Sequence, residues 1–294
     1  MPSGRSASSA LLVGLIVWLV SAEAAAYCLT ASCADGAPGE LCEPEKSSDC
    51  GVPGRWARRC IGFSMHEAGS AQVDLASAEI IMSQAFAAWT EADCGGDTPA
   101  IDVANLGSVA CGEPEYNQQC GNANVIAFRD TVWPYEGQGS TLALTTVTYN
   151  LDTGEIFDAD MEVNASEITL TIGDDNVVYD LRSILTHEAG HILGIAHSDV
   201  FSATMHVDYE PGETGLRTLD QDDVAAICAA YPPDGVAEPS CDFAPRRGLR
   251  SECGPCEEDG CGCHEAAAPT EGDTAPLVVA LLLVGASLAT RRLS

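Results

Sequence analysis

Hydrophobic residues recur at three- and four-residue steps in VDLASAEIIMSQAFAAWTEA, residues 73–92, and this spacing predicts an amphipathic helix. The segment DLRSILTHEAGHILG predicts a second helix, with Asp180 as its N-cap and Gly194 at its end, and DQDDVAAICAAY predicts a third. Three β-like runs separate the first two helices: NVIAFRD, LALTTVTYN and EIFDADMEVN. From Trp56 onward, the chain therefore has the pattern of a globular domain with both helices and strands.

The N-terminal end of the chain has the pattern of an export signal. Residues 1–26 combine Arg5, the apolar run ALLVGLIVWLV and small residues at Ala24 and Ala26, which is the layout of a secretory signal peptide. An N-terminal membrane anchor is the alternative, but the apolar run is short for a bilayer span. We therefore expect cleavage after Ala26.

The segments that flank the predicted domain differ from it in composition. Residues 27–54 and 233–268 are rich in Cys, Gly and Pro, and they are predicted as a small disulfide-stapled segment and a linker. Residues 269–294 contain the apolar run APLVVALLLVGASLA, followed by two arginines, and are predicted as a hydrophobic tail with a short apolar helix. Residues 55–232 remain as one domain of ordinary length.

Charge and cysteine content narrow the class of protein. The formal net charge is −31, from 44 acidic and 13 basic side chains among 294 residues. So acidic a surface repels nucleic acid, which is excluded as a partner, and it suits calcium. All 14 cysteines follow residue 26, and in an exported chain this density indicates disulfides rather than cytosolic metal or redox sites.

The second predicted helix carries the strongest candidate for chemistry, LTHEAGHILGIAH. His187 and His191 are four residues apart, so they share one face of the helix. Gly194 allows a sharp turn, after which His197 returns as a third ligand. Three neutral imidazoles leave one position of a zinc ion open, which is typical of catalytic rather than structural sites. The complete eleven-residue spacing disfavours the alternative that these histidines are an accident of composition.

Two neighbours of these histidines have different predicted roles. Glu188 follows the first histidine and can reach a water on the zinc, so it is the predicted general base that later passes a proton to the leaving amine. His206 is predicted to lie near the site without binding the metal, because a fourth imidazole would close the open position.

The motif HEAGHILGIAH resembles the long zinc signature of the metzincin metalloproteases. Met205 falls at that family's Met-turn, and Ser198 after the third histidine resembles the matrixin branch. The likeness extends to RWARRCIGFSM, AFAAW, YEGQGSTLA and LDQDDVAAICAAY, so it covers about residues 55–232. It implies an α/β (α+β), zincin-like fold with a twisted, mostly parallel sheet, one antiparallel edge strand, a zinc-binding helix and a small C-terminal lobe.

The resemblance also implies how a substrate binds. A protein or peptide would lie as an extended strand along the Leu142–Ala143 edge and form backbone hydrogen bonds with it. Met205 would form an apolar floor below the metal, and Tyr209 would stand at the wall of the specificity pocket.

The chain departs from the matrixin pattern at the other metal sites. Leu144 and Ile156 stand where two histidines of a second, structural zinc are usual, so the resemblance predicts only one zinc ion. For calcium, Glu136 and Asp158 fit two of the family's three acidic ligands, but Met161 occupies the third position. Calcium is therefore a candidate, and acidic residues on a solvated face are the alternative.

Two motifs outside the domain resemble regulatory or sorting elements. SDCGVPG resembles the cysteine switch of matrixin zymogens, but its flanking Arg and Asp are missing, so Cys50 is predicted as half of a disulfide and a latch is the alternative. Cys60 is one candidate partner, since sequence does not fix connectivity. The end of the chain resembles C-terminal sorting tails of the MYXO-CTERM type, with a plain membrane anchor as the alternative.

The predicted function is a secreted or surface-attached zinc endopeptidase that acts on proteins or peptides. Signal peptidase and a protease that processes the C-terminal tail are its predicted processing partners. The alternative is a non-catalytic adhesion or scaffold protein that keeps a zinc-binding metzincin fold, and the presence of Glu188 favours the enzyme.

Overall fold

The structure is a computed structural model that describes residues 27–30, 52–135, 141–235 and 241–256, together with the backbone of Leu277–Gly285. The predicted signal peptide, most of the Cys-rich segment after it, Cys50 and Glu136 lie outside the described residues. Within the described ranges, no helix combines the length and the apolar character that a bilayer crossing requires.

A six-stranded sheet forms the centre of the domain. The described strands are β1 (Cys60–His66), β2 (Asp102–Val109), β3 (Val125–Phe128), β4 (Thr141–Asn150), β5 (Ile156–Val163), β6 (Leu170–Thr171), β7 (Tyr179–Asp180) and β8 (Leu277–Gly285). The sheet has the order β2-β1-β3-β5-β4-β8, and β6 and β7 form a separate small ladder. Strands β2, β1, β3 and β5 are parallel, whereas β4 is antiparallel to both of its neighbours. The predicted mostly parallel sheet is confirmed.

Strand β2 is one that the hydrophobic pattern does not predict. Its sequence DVANLGSV contains few large apolar residues, and seven of its eight positions are partly or fully exposed. It pairs with β1 alone, at the outer end of the sheet. An edge strand without a second neighbour can be polar, and this explains why its sequence gives no strand signal.

All three predicted helices are present: α1 (Leu75–Thr90), α2 (Leu181–Ile192) and α3 (Gln221–Ala230). Helix α1 begins after Asp74, whose side chain accepts a hydrogen bond from the Ser77 amide, as N-capping requires. Its apolar face is buried, and Trp89 at its end donates from Nε1 to the Thr186 carbonyl of α2 at 2.8 Å. Helix α1 therefore fixes the position of α2.

Four disulfides join pairs of described cysteines: Cys60–Cys241, Cys94–Cys228, Cys111–Cys253 and Cys120–Cys256. The suggestion that Cys60 pairs with Cys50 is wrong, because a cysteine distant in sequence lies beside it in space. Three of the four bonds hold residues 241–256 against the domain, although this segment has the composition of a linker. The structure thus extends the folded unit beyond residue 232.

The apolar tail differs from its prediction. Leu277–Gly285 is a strand rather than a helix, and it pairs along β4 from Thr141 to Asn150. The segment LVVALLLVG is rich in valine and leucine, and the outer edge of β4 offers a row of backbone donors and acceptors. Pairing with that edge satisfies the backbone of both segments.

Candidate metal centre

Helix α2 positions two of the three predicted zinc ligands. It begins after Asp180, whose carboxylate accepts from the Ser183 amide at 2.8 Å and also pairs with Arg217. His187 and His191 lie one turn apart on this helix, and both are fully buried. The helix end is fixed by this cap and by Trp89 of α1, so the two imidazoles have little freedom to move.

The third histidine is brought back by a turn directly after the helix. Gly194 has a φ of 84°, a conformation that other residues adopt with strain, and a Cβ there would collide with the Gly54 carbonyl oxygen. His197 then returns so that its Nε2 lies 3.2 Å from Nε2 of His191, which itself lies 3.1 Å from Nε2 of His187. The structure therefore brings the three predicted ligands together, as one group of buried histidines.

The hydrogen bonds of His187 and His191 favour the tautomer that can bind a cation. Nδ1 of His187 lies 2.7 Å from the Thr204 carbonyl, and Nδ1 of His191 lies 2.8 Å from the Ile195 carbonyl. A carbonyl only accepts, so each Nδ1 carries the proton and each Nε2 presents a lone pair. Lone pairs that converge without a proton between them repel one another, whereas a zinc ion would bind them. The residues present therefore fit zinc.

Burial keeps this group neutral. Desolvation is the largest cause that lowers the pKa of His187 to about 3 and of His197 to about 4, and it also lowers the pKa of His191. Repulsion between the rings acts in the same direction. A zinc ligand must be an unprotonated imidazole, so the fold prepares all three side chains for metal.

The loop between the second and third histidines is braced by the start of the described chain, which the sequence did not predict. The Thr30 amide donates to the Gly194 carbonyl at 2.9 Å, and the Ala196 amide donates to the Cys28 carbonyl at 3.0 Å. Residues 27–30 thus form a short bridge beside the loop, and Cys28 is itself disulfide-bonded. If cleavage occurs after Ala26, the mature chain begins at this bridge.

Met205 lies below the ligand helix, where the resemblance to metzincins places it. It is fully buried, and its carbonyl accepts from the Ser198 amide at 2.9 Å. The Asp223 carboxylate accepts from the amides of Thr204 at 2.6 Å and Met205 at 3.0 Å. Asp223 also belongs to the capping box of α3, so one buried carboxylate connects that helix to the turn. Sequence reasoning missed Asp223, although the spacing of Asp220 and Asp223 is a capping signal.

Gly190 lies where helix α2 approaches this turn most closely, and this packing gives a testable result. A Cβ at Gly190 would meet the Sδ of Met205 and would lie 2.7 Å from the Trp89 ring. Met205 has a flexible end, but the buried indole has no room to move. We expect Gly190→Ala to lower the free energy of unfolding by about 1–3 kcal/mol, measured by urea denaturation.

Gly215→Ala is the matched control for Gly190→Ala, because nothing lies within 4 Å of a Cβ built at Gly215. It should leave the free energy of unfolding nearly unchanged. Equal stability of the Gly190→Ala variant and the wild type would contradict the described packing of Met205 against the helix.

Glu188 directly follows His187 in the sequence, and its side chain is fully buried. Its two carboxylate oxygens have different environments. Oε2 accepts a hydrogen bond from the hydroxyl of Thr145, whereas Oε1 has no hydrogen-bond partner among the described residues. Burial raises the pKa of Glu188 to about 8, and the hydrogen bond from Thr145 acts against this shift. A carboxyl group with one oxygen held in place and the other without a described partner can accept a proton from a water beside it.

The other predicted site residues occupy more varied positions. Leu142 and Ala143 are buried on β4, where β8 pairs with the strand. The hydroxyl of Tyr209 accepts from the Asp180 amide at 2.9 Å and donates to the Glu213 carbonyl at 2.6 Å. Tyr209 therefore supports the start of the ligand helix, and its place at a pocket wall stays a prediction.

His206 lies outside the group of three histidines. Its Nδ1 accepts a hydrogen bond from the Asp208 amide at 3.2 Å, and its ring lies against the exposed Phe201. The structure thus gives His206 a partner other than the candidate metal.

The positions matched to the second zinc and to calcium stay predictions. Leu144 pairs with Glu162, whereas Ile156 pairs with Tyr149. Asp158 is buried, and its Oδ1 has no hydrogen-bond partner in the described part of the chain. Because Glu136 is outside the described residues, the calcium site stays a prediction.

The described site has the arrangement that the resemblance to the metzincins implies: three histidines on a helix and the turn after it, a glutamate beside the first and a methionine below them. Comparison with protein families agrees: residues 125–232 match the family model of the matrixins. Residues 125–232 are thus similar to the matrixins, and the described fold is mixed α/β.

Three relatives illustrate the extent of the similarity. Metalloendoproteinase 1-MMP of Arabidopsis thaliana is 34% identical over 105 residues, which are 34% of this chain and 26% of that protein. Neutrophil collagenase of Homo sapiens is 28% identical over 207 residues, or 65% of this chain and 39% of that protein. Karilysin of Tannerella forsythia is 45% identical over 69 residues, or 22% of this chain and 14% of that protein. The chain therefore spans less than half the length of each of these relatives.

Proposed function

We propose that this chain is a zinc-dependent endopeptidase. The observation that carries the proposal is the convergence of three neutral, buried imidazoles, with the unpartnered Oε1 of Glu188 on the same helix. Its similarity to proteins named as metalloendoproteinases and a collagenase supports the same class of activity.

The residues of the site have separate roles in peptide hydrolysis. His187, His191 and His197 would hold the zinc, which when bound polarises the peptide carbonyl and acidifies a water. Glu188 takes a proton from the attacking water at Oε1 and delivers it to the nitrogen of the leaving amine. The Nδ1–carbonyl hydrogen bonds keep His187 and His191 in the tautomer that binds metal.

We infer that the substrate binds as an extended strand on the outer edge of β4, at Leu142 and Ala143. This strand also carries Thr145, which contacts Glu188, so a chain paired with the edge passes beside the general base. In the structure the same edge is paired with β8, whose Val284 lies opposite Ala143. A substrate and the tail of the protein therefore compete for one set of backbone hydrogen bonds.

This competition gives a measurable expectation for the tail. A chain that ends after Cys256 keeps every described disulfide but lacks β8. We expect its KM for an extended peptide to be lower than that of the full-length chain, with kcat unchanged, because the edge no longer has to be vacated. Steady-state kinetics on one fluorogenic peptide makes the comparison.

The control for the truncation keeps the tail but weakens its strand. Val279→Pro removes one backbone donor from the segment that pairs with β4, and it should lower KM in the same direction. Identical KM values for the full-length, truncated and proline-containing chains would contradict competition at this edge.

The proposal also includes export of the chain and processing of its two ends. The described disulfides are typical of an oxidising compartment, in agreement with a signal peptide at residues 1–26. Signal peptidase and a tail-processing protease would then act on the two ends, and the domain would work outside the cell or at its surface. We also propose that a calcium ion with a structural role binds beside Asp158.

A non-catalytic scaffold is the second candidate function, because a metzincin fold can hold zinc without turnover. The buried Glu188 argues against it, since an unpaired carboxylate oxygen costs stability and gains nothing in a scaffold. A peptide library incubated with the purified exported chain separates the two: the proposal predicts internal cleavage. A zinc-loaded chain that leaves the library intact would favour the scaffold.

A further inference from the structure

The general base Glu188 receives its single described side-chain hydrogen bond from the sheet rather than from its own helix. The hydroxyl of Thr145 donates to Oε2 of Glu188, and both side chains are fully buried. Oε1 has no partner among the described residues. The two oxygens are thus distinguished by one threonine, which no motif in the sequence singles out.

The register of β4 explains why this threonine meets the helix. Thr145 pairs with Met161 of β5, and alternate residues of a strand point to opposite faces of the sheet. Thr145 faces α2, whereas the adjacent Thr146 faces the other side, where it lines a cavity with Tyr116 and Asp160. The strand that forms the substrate edge therefore also supports the general base.

A hydroxyl at this buried position would lower the stability of the protein if it only filled space. An unsatisfied buried hydroxyl lowers the stability of the folded protein, and a valine has nearly the same shape as threonine without that cost. The carboxylate has the same problem, since burial disfavours its charged form. The hydrogen bond between Thr145 and Glu188 reduces the cost of burying both groups. The same hydrogen bond fixes the rotation of the carboxylate.

We propose that Thr145 is a positioning residue for Glu188, holding Oε2 so that Oε1 is directed at the attacking water. The inference rests on the proposed peptidase function. The proton passes from the water to Oε1 and then to the leaving nitrogen, while Thr145 keeps its own proton and donates to Oε2 throughout. Because that hydrogen bond is present before and after the transfer, the carboxylate does not have to reorient during the reaction.

Three variants of the full-length chain test the assignment. Thr145→Val removes the hydroxyl and keeps the shape, Thr145→Ser keeps the hydroxyl, and Thr146→Val makes the same change on the opposite face. We expect Thr145→Val to lower kcat by about 10- to 100-fold, the range seen when a supporting hydrogen bond is lost, with KM unchanged. Thr145→Ser should recover most of kcat, and Thr146→Val should match the wild type.

Two measurements that do not depend on activity accompany the kinetics. Zinc affinity, measured by competition with a chromogenic chelator, should be equal in all four proteins because the described side-chain hydrogen bond of Thr145 goes to Glu188, which is not a metal ligand. Crystal structures of the metal-free wild type and variants should show the Glu188 carboxylate rotated in Thr145→Val and unrotated in Thr145→Ser.

Each contrary result has a distinct meaning. Wild-type kcat in Thr145→Val, or a loss in Thr145→Ser as large as in Thr145→Val, would overturn the positioning role. Weaker zinc binding in Thr145→Val would also overturn it, because the residue would then act through the ligand helix. A wild type that cleaves no peptide would defeat the proposed function instead, and the orientation of Glu188 in the crystals would still decide the role of the hydrogen bond.

Discussion

Replacing Glu188 with glutamine is expected to leave zinc bound and to reduce peptide hydrolysis about a hundredfold or more. Glutamine preserves the length of the side chain, and its amide oxygen can still accept the hydrogen bond from Thr145. It cannot take a proton from water at neutral pH, so only the transfer step is lost. Metal analysis and kcat/KM on one peptide, measured side by side, give the result.

Glu188→Ala provides a second form of the same test. It removes the carboxylate completely and should give a comparable loss of activity with zinc retained, because the side chain is not a metal ligand. Turnover near the wild-type rate in either variant would mean that another group accepts the proton, and the assigned mechanism would be wrong.

His191→Ala is expected to abolish both zinc binding and hydrolysis. His191 is the central member of the group, since its Nε2 lies 3.1 Å from that of His187 and 3.2 Å from that of His197. The two remaining imidazoles would provide an incomplete site for zinc, which in catalytic sites is usually held by three protein ligands. The variant should also lose the thermal stabilisation that zinc gives to a protein whose folded form alone binds it.

His206→Ala is the matched control for His191→Ala. It removes an imidazole from the same region, but His206 has Asp208 as its partner and lies outside the group of three. Zinc content should therefore stay at the wild-type value. Loss of zinc from His206→Ala, or its retention in His191→Ala, would contradict the ligand assignment.

Local spacing explains why so much of the candidate centre could be predicted. His187 and His191 share a helical face at any site with this sequence, and Gly194 is needed wherever the chain turns directly after the helix. The helix caps follow the same rule, since Asp180 and Asp220 lie just before the first turn of their helices. Such features depend on neighbours within a few residues, which a sequence displays directly.

The features that escaped prediction depend on contacts between distant segments. Thr145 and Glu188 are 43 residues apart in the sequence but share a hydrogen bond. The bridge between Leu29 and Ile195 joins the start of the described chain to the loop between the second and third histidines. The partner of Cys60 lies 181 positions away, and many pairings of 14 cysteines have the same sequence pattern. The spacing of residues along the sequence does not show which of these distant segments are in contact.

The strand formed by Leu277–Gly285 illustrates a different reason for failure. Its apolar sequence fits a helix, a membrane span or a buried strand equally well, because a short apolar run has no periodicity to separate them. The decisive factor is the outer edge of β4, which lies elsewhere in the chain and offers backbone groups for pairing. The prediction considered the segment alone, whereas its conformation depends on that partner.

Metal reconstitution of the purified wild-type protein tests most directly the proposal that this chain is a one-zinc endopeptidase. Zinc per chain and peptide hydrolysis would be measured before chelation, after chelation and after zinc is returned. We expect one zinc ion per chain, loss of hydrolysis when the metal is removed, and recovery of both when zinc is returned. Two tightly held zinc ions, or hydrolysis that persists in the metal-free protein, would contradict it.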